Sequence, residues 1–149
     1  MMPEMRRKDR QLPEEEAVRL LQDCRFGVLC TVCADGTPYG IPMNHALIGR
    51  SLYMHCAADG GLKLENIARS PKACFTVVGQ ADGAEEGPPR LHSAIAFGRV
   101  STALSEEERI LGIEALRQHS RRSRPSGTGT ARKVLVLRFD IEQLTGKGR

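Results

Sequence analysis

The chain has no tryptophan, two tyrosines and four phenylalanines among its 149 residues. Surfaces that stack nucleic-acid bases are built from aromatic rings, so this chain has little to build one from. Its basic stretch, Arg117 to Lys133, contains no aromatic residue. That stretch reads as a solvated loop, or as one that closes over an anion. Long apolar runs are missing as well. None approaches the ~20 residues of a membrane-spanning helix. The opening MMPEMRRKDRQLPEEE carries charge and no apolar stretch, which is not the pattern of an export signal. A cytoplasmic protein is expected, with no membrane and no nucleic acid among its partners.

Five cysteines, an odd number without an export signal, argue against a disulfide framework. Cys30 and Cys33 form a C-x-x-C, but along a strand positions three apart face opposite sides. They should not share a metal, and no second C-x-x-C completes a zinc site. H-E-x-x-H and G-x-x-x-x-G-K-[ST] are absent. No paired-carboxylate signature is visible, and Ser93 has no identifiable base partner. Gly127-Thr128-Gly129 is no dinucleotide fingerprint, because no third glycine follows.

What is present is ordinary for a soluble domain: 40% hydrophobic and 27% charged residues. The length suits one domain with a real core. A net charge of +4 is too mild to argue for nucleic acid and suits an anionic small molecule equally well. Residues 1–11 read as a charged, loosely held arm. A helix starts at Pro13, with Glu14, Glu15 and Glu16 at its positive end. Ala17, Leu20, Leu21 and Cys24 recur on one face of it.

Phe26 to Ala34 is rich in strand formers, and Asp35-Gly36 is a hairpin signal. The chain returns as a strand from Tyr39 to Leu47. Pro42 cannot donate a ladder hydrogen bond, so this strand is interrupted, bulged or at an edge. Leu52 to Cys56 is the third strand. A helix from about Gly61 to Ser70 places Leu64, Ile67 and Ala68 on one side, and Pro71 stops it. Strands follow at Lys72 to Val78 and Leu91 to Leu104, the latter with a bend or bulge at Gly98. Ser105 with Glu108 forms a capping box for a third helix reaching about His119. Val134 to Ile141 is the last strand. Residues 80–90 and 121–133 read as exposed loops. Tight turns between consecutive strands imply antiparallel pairing. Six or so such strands with few helices point to a small barrel.

The local pattern richest in chemistry is Ala58-Asp59-Gly60-Gly61-Leu62-Lys63. A helix start offers free N–H groups and partial positive charge. Glycines permit close approach, and a lysine adds full charge. The combination suits a phosphate, although a plain turn before a helix uses the same residues. His55 ends the strand just before this loop. His45 shares a face with Met43, and Asn44 points the other way. His92 and His119 have no supporting context and read as surface or core residues.

Five segments together resemble the flavin-binding split-barrel family related to pyridoxamine 5′-phosphate oxidase. They are MRRKDRQL, DGTPYGIPMN, LYMHCAADGGLKLENIARSPKACFTVVG, LHSAIAFGRV and IEQLTGK. Within the family the pattern is similar to the NimA-type group, named for 5-nitroimidazole resistance. The resemblance implies a mainly β, six-stranded antiparallel split barrel of FMN-binding type. It also implies a homodimer with FMN at the subunit interface. Ile41, Pro42, Met43 and Asn44 would present backbone and side chain to the flavin ring. His55, Cys56 and Ala57 would run along the ribityl chain toward the phosphate, which Gly61, Leu62 and Lys63 would hold. Ser93 and Lys147 match positions near the site, Lys147 serving the partner subunit's flavin. Cys56 departs from the expected serine or threonine, which puts that phosphate contact in question.

The implied activity is that of an oxidoreductase. A reduced nicotinamide would give a hydride to the flavin, and a nitroaromatic or quinone would accept the electrons. His55 would be catalytic as a proton donor or acceptor-positioning residue. A flavin- or haem-binding storage or sensor module without robust turnover is the alternative, and split barrels of this type also bind deazaflavin.

Overall fold

A computed structural model describes residues 2–80, 91–121 and 134–148. Most of each expected loop, at 80–90 and 121–133, therefore lies outside the described residues. Within them the order is a 3-10 turn at Lys8–Arg10, β1 (Gln11–Leu12), α1 (Glu14–Asp23), β2 (Phe26–Val32) and β3 (Pro38–Asn44). Then come β4 (Ala46–Ile48), β5 (Ser51–Ala57), α2 (Leu62–Arg69), β6 (Lys72–Gln80), β7 (Leu91–Ser101), α3 (Glu106–Arg121) and β8 (Val134–Lys147). All strands join one antiparallel sheet in the order β3-β2-β6-β7-β8-β5-β4, with β1 beside β8. The sheet curls until β3 touches β5, so the fold is mainly β and matches a split barrel. The six longer strands are the six expected. β1 and β4 are short additions.

Alternation along β2 builds the inside of the barrel. Gly27, Leu29 and Thr31 are buried, while Phe26, Val28 and Val32 face out. Leu29, Leu52, Met54, Phe75, Leu137 and Phe139 are fully buried at the centre. The core is plugged by α1 through Ala17 and Leu21, two of the residues its helical period singles out. Gly27 is small because a Cβ there would lie 2.4 Å from the Phe75 ring.

The structure departs from the sequence expectations in several places, among them the strand expected over Leu91–Leu104, which ends at Ser101. The strand expected over Tyr39–Leu47 breaks at His45, where the chain leaves β2 and begins to pair with β5. His45 is buried at the break and donates from Nε2 to the Leu21 carbonyl at 2.7 Å. The last strand runs on to Lys147 rather than stopping at Ile141. A bulge is the reason: Phe97 pairs with Gln143 but Gly98 with Ile141, so Glu142 is the extra residue and the in–out phase slips there. The capping box is half made. The Glu108 amide donates to Ser105 Oγ at 3.2 Å, but the Glu108 carboxylate turns to Tyr53 and Arg138. Finally, the end of the N-terminal arm is tied down, because Gln11 and Leu12 pair with Lys147 and Gly146.

Candidate flavin phosphate site

The glycine loop after β5 forms a small cradle. Gly60 and Gly61 sit at φ +109° and +111°, a region that penalises any Cβ. Gly61 caps α2 with no side chain on the helix start. The helical bonds begin with the Leu64 and Glu65 amides, both on the Gly61 carbonyl at 3.1 and 3.3 Å. The Leu62 and Lys63 amides precede them and lie in the positive end of the helix. A Cβ built on Gly61 would be 3.9 Å from Lys63 Nζ, so the ammonium folds back over the glycine. Cys56 belongs to the same group. Burial pushes its thiol up, and the Lys63 ammonium partly offsets that. Amides, an ammonium and bare glycine backbone are the donor set that a phosphate monoester takes.

A buried amide anchors this helix. Asn66 is 1% exposed. Its Nδ2 donates to Thr31 Oγ1 at 3.0 Å and contacts Cys33 Sγ at 3.6 Å, while Arg69 reaches both Asn66 Oδ1 and the Val32 carbonyl. Asn66 and Ile67 form the buried face, with Leu64 half-buried, whereas Ala68 is exposed against expectation. The sequence reading missed Asn66. Its signal was a polar residue inside an eight-residue helix, next to the apolar period.

The expected ring-facing strand, β3, is an edge strand, one of the three placements Pro42 allows. It pairs with β2, Pro42 standing opposite Val28. Alternation then sorts its residues. Met43 is buried in the core and Ile41 packs against it, whereas Pro42 and Asn44 face out. Met43 can therefore offer a ligand its backbone but not its side chain. Ser93 and Lys147 form a second group, paired with each other across β7 and β8.

His55 is exposed on β5 opposite Val136. Gly112 of α3 packs on Val136 and Tyr53, so His55 stands on the α3 side of the strand. Cys56 and the Lys63 ammonium are on the other. His119 contacts His45 edge-on, with ring centres 5.2 Å apart. It also lines a groove of about 550 Å³ between α1, β4 and α3, with Asp23, Leu47, Leu111 and Glu114. None of the expected cofactor residues lines that groove.

No helix among the described residues is long and apolar enough to cross a membrane. No curated protein matches the chain. Solved structures do. A candidate 5-nitroimidazole antibiotic resistance protein from Bacteroides thetaiotaomicron is 22% identical, with a TM-score of 0.78 over 93% of this chain and 86% of that one. An FAD-binding protein from Mesorhizobium loti is 23% identical, with a TM-score of 0.73 over 94% and 97%. A flavocytochrome from Azotobacter vinelandii is 16% identical, with a TM-score of 0.73 over 98% and 72%. At these identities the likeness is one of fold. The family model described as pyridoxamine 5′-phosphate oxidase matches residues 13–148, and the chain belongs to that family.

Proposed function

We propose that this chain is an FMN-binding oxidoreductase that works as a homodimer. It would take electrons from a reduced nicotinamide and pass them to a small acceptor such as a nitroaromatic or quinone. The observation that carries the reading is the cradle at Gly61–Lys63, whose donors suit a phosphate monoester. Its neighbour in sequence, β5, also lies against β3. Family membership and flavin-binding relatives support the same ligand class.

A bound flavin supplies the hydride and electron chemistry. The protein's part is to hold and orient it. The Leu62 and Lys63 amides and the Lys63 ammonium bind the phosphate. Cys56 stays a neutral thiol beside them, because burial raises its pKa. The backbone of β3, with Pro42 and Asn44 outward, would border the ring. His55 is the candidate proton donor, acting from its exposed position across β5 from the phosphate donors.

The dimer is supported by an apolar face. Phe26 at 62%, Val78 at 58%, Val28, Val32 and Leu91 are all exposed, and they share the outer side of β2, β6 and β7. Asn44 faces Phe26, and Ser93 faces both Val78 and Lys147. Covering this face with a second copy removes apolar surface from water and brings Ser93 and Lys147 into the interface.

An absorbance spectrum of the desalted protein tests the reading. Paired flavin bands are expected. A Soret band would assign the alternative, a haem-binding module, and a featureless visible spectrum after FMN reconstitution would contradict both.

A further inference from the structure

Cys30 of β2 and Cys74 of β6 are partners in the antiparallel register. Partners in such a ladder have Cα atoms about 4.5–5.5 Å apart, inside the roughly 4.4–6.8 Å range that a disulfide spans. Both side chains are half-buried on the outer side of the sheet, and both are free thiols. They interact with each other: Cys30 contributes to raising the Cys74 pKa through charge and hydrogen bonding. The other three cysteines have different neighbours. Cys24 reaches the Val78 carbonyl, Cys33 the Asn66 amide, and Cys56 lies beside Lys63.

We propose that Cys30 and Cys74 are an oxidation site at which a hydroperoxide forms an intramolecular cross-strand disulfide, locking β2 to β6. The inference rests on register and not on the flavin reading. The thiolate of one of the two attacks a peroxide oxygen, the O–O bond breaks, and water leaves after protonation. The resulting sulfenic acid is attacked by the sulfur of the other cysteine, the S–O bond breaks, and a second water carries away the proton. Two thiols are oxidised and one hydrogen peroxide is reduced to two waters. Burial, with Cys30 alongside, pushes the Cys74 thiol up to about 11. The thiolate is the nucleophile, so whichever cysteine of the pair ionises makes the first attack.

The pair lies on the face assigned above to a second copy. A covering chain slows the reaction without changing its product, so the experiment is run at two chain concentrations and taken to completion. The full-length protein is treated with hydrogen peroxide, alkylated under denaturing conditions, and mapped without reduction. The expected result is a fall from five alkylatable thiols to three, a mass lower by two hydrogens, and one cross-linked peptide pair joining Cys30 to Cys74. Reduction restores five. Neither Cys30→Ser nor Cys74→Ser yields this bridge, and dimedone captures a sulfenic acid on the cysteine of the pair that remains. Five thiols remaining at both concentrations would overturn the proposal. So would a bridge between other cysteines, or oxidation of either cysteine of the pair to sulfinic acid without bridging in the wild-type chain.

Discussion

Asn66 Nδ2 lies 3.0 Å from Thr31 Oγ1, and that bond joins the cradle helix to the inner face of the sheet. Both partners are buried, so losing one leaves the other unpaired. Asn66→Ala should cost about 1–3 kcal/mol. It should also weaken FMN binding several-fold, because α2 carries the proposed phosphate donors. Urea unfolding and a flavin titration check the two effects. An unchanged urea midpoint would contradict the anchoring role.

His45 makes the fold sensitive to mild acid. Burial holds its folded pKa down to about 4 from 6.5, against a smaller upward pull from the Leu21 carbonyl, and His119 also lowers it. Above pH 6.5 both states leave the ring neutral and its contribution to stability is complete. As the pH falls from 6.5 toward 4, the unfolded chain takes a proton that the folded chain refuses. Stability then drops, by roughly 3 kcal/mol in full. Urea midpoints at pH 7.5 and 4.5 measure this. His45→Gln, which keeps a donor near Leu21, should flatten most of the difference.

Much of this architecture could be read from the residues. The α1 period, the Asp35-Gly36 hairpin, the edge position allowed by Pro42 and the irregularity at Gly98 all hold. The rest depended on tertiary relationships. The break at His45 is set by a change of pairing partner, from β2 to β5, that local pattern does not encode. The extension of β8 past Ile141 is hidden because the bulge at Glu142 reverses the alternation a reader would follow. In the candidate site, the glycine loop and the lysine at the start of the next helix were legible. Asn66 was not, since its role exists only once Thr31 is folded against it. Met43 lies within the Ile41–Asn44 segment that the resemblance places toward the ring. The strand phase that buries it becomes visible only in the β2–β3 register.

Gly98 marks where β7 crowds β8. A Cβ there would fall 1.9 Å from the Asp140 carbonyl oxygen and 3.2 Å from the Phe139 ring, and the nearer obstacle is backbone, which cannot swing aside. Gly98→Ala should destabilise the protein by more than about 2 kcal/mol, read as a large fall in the thermal midpoint. A shift within error would mean that the bulge relaxes freely.

His55 separates binding from turnover. Its place across β5 from Cys56 keeps it off the phosphate donors. His55→Ala should leave FMN affinity within about twofold, while a proton-donor role predicts at least a tenfold loss of turnover with a nitroaromatic acceptor. Full turnover in this variant would remove His55 from the chemistry.

The central claim is that the Gly61–Lys63 helix start binds a flavin phosphate. Fluorescence titration of the cofactor-free protein with FMN and with riboflavin tests it most directly, repeated on Lys63→Ala. The account predicts FMN at least tenfold tighter than riboflavin in the wild-type chain, from charge-assisted bonds to the phosphate. In Lys63→Ala that gap should shrink markedly while riboflavin binding stays the same. Equal affinity for FMN and riboflavin, or an FMN affinity indifferent to Lys63, would contradict it.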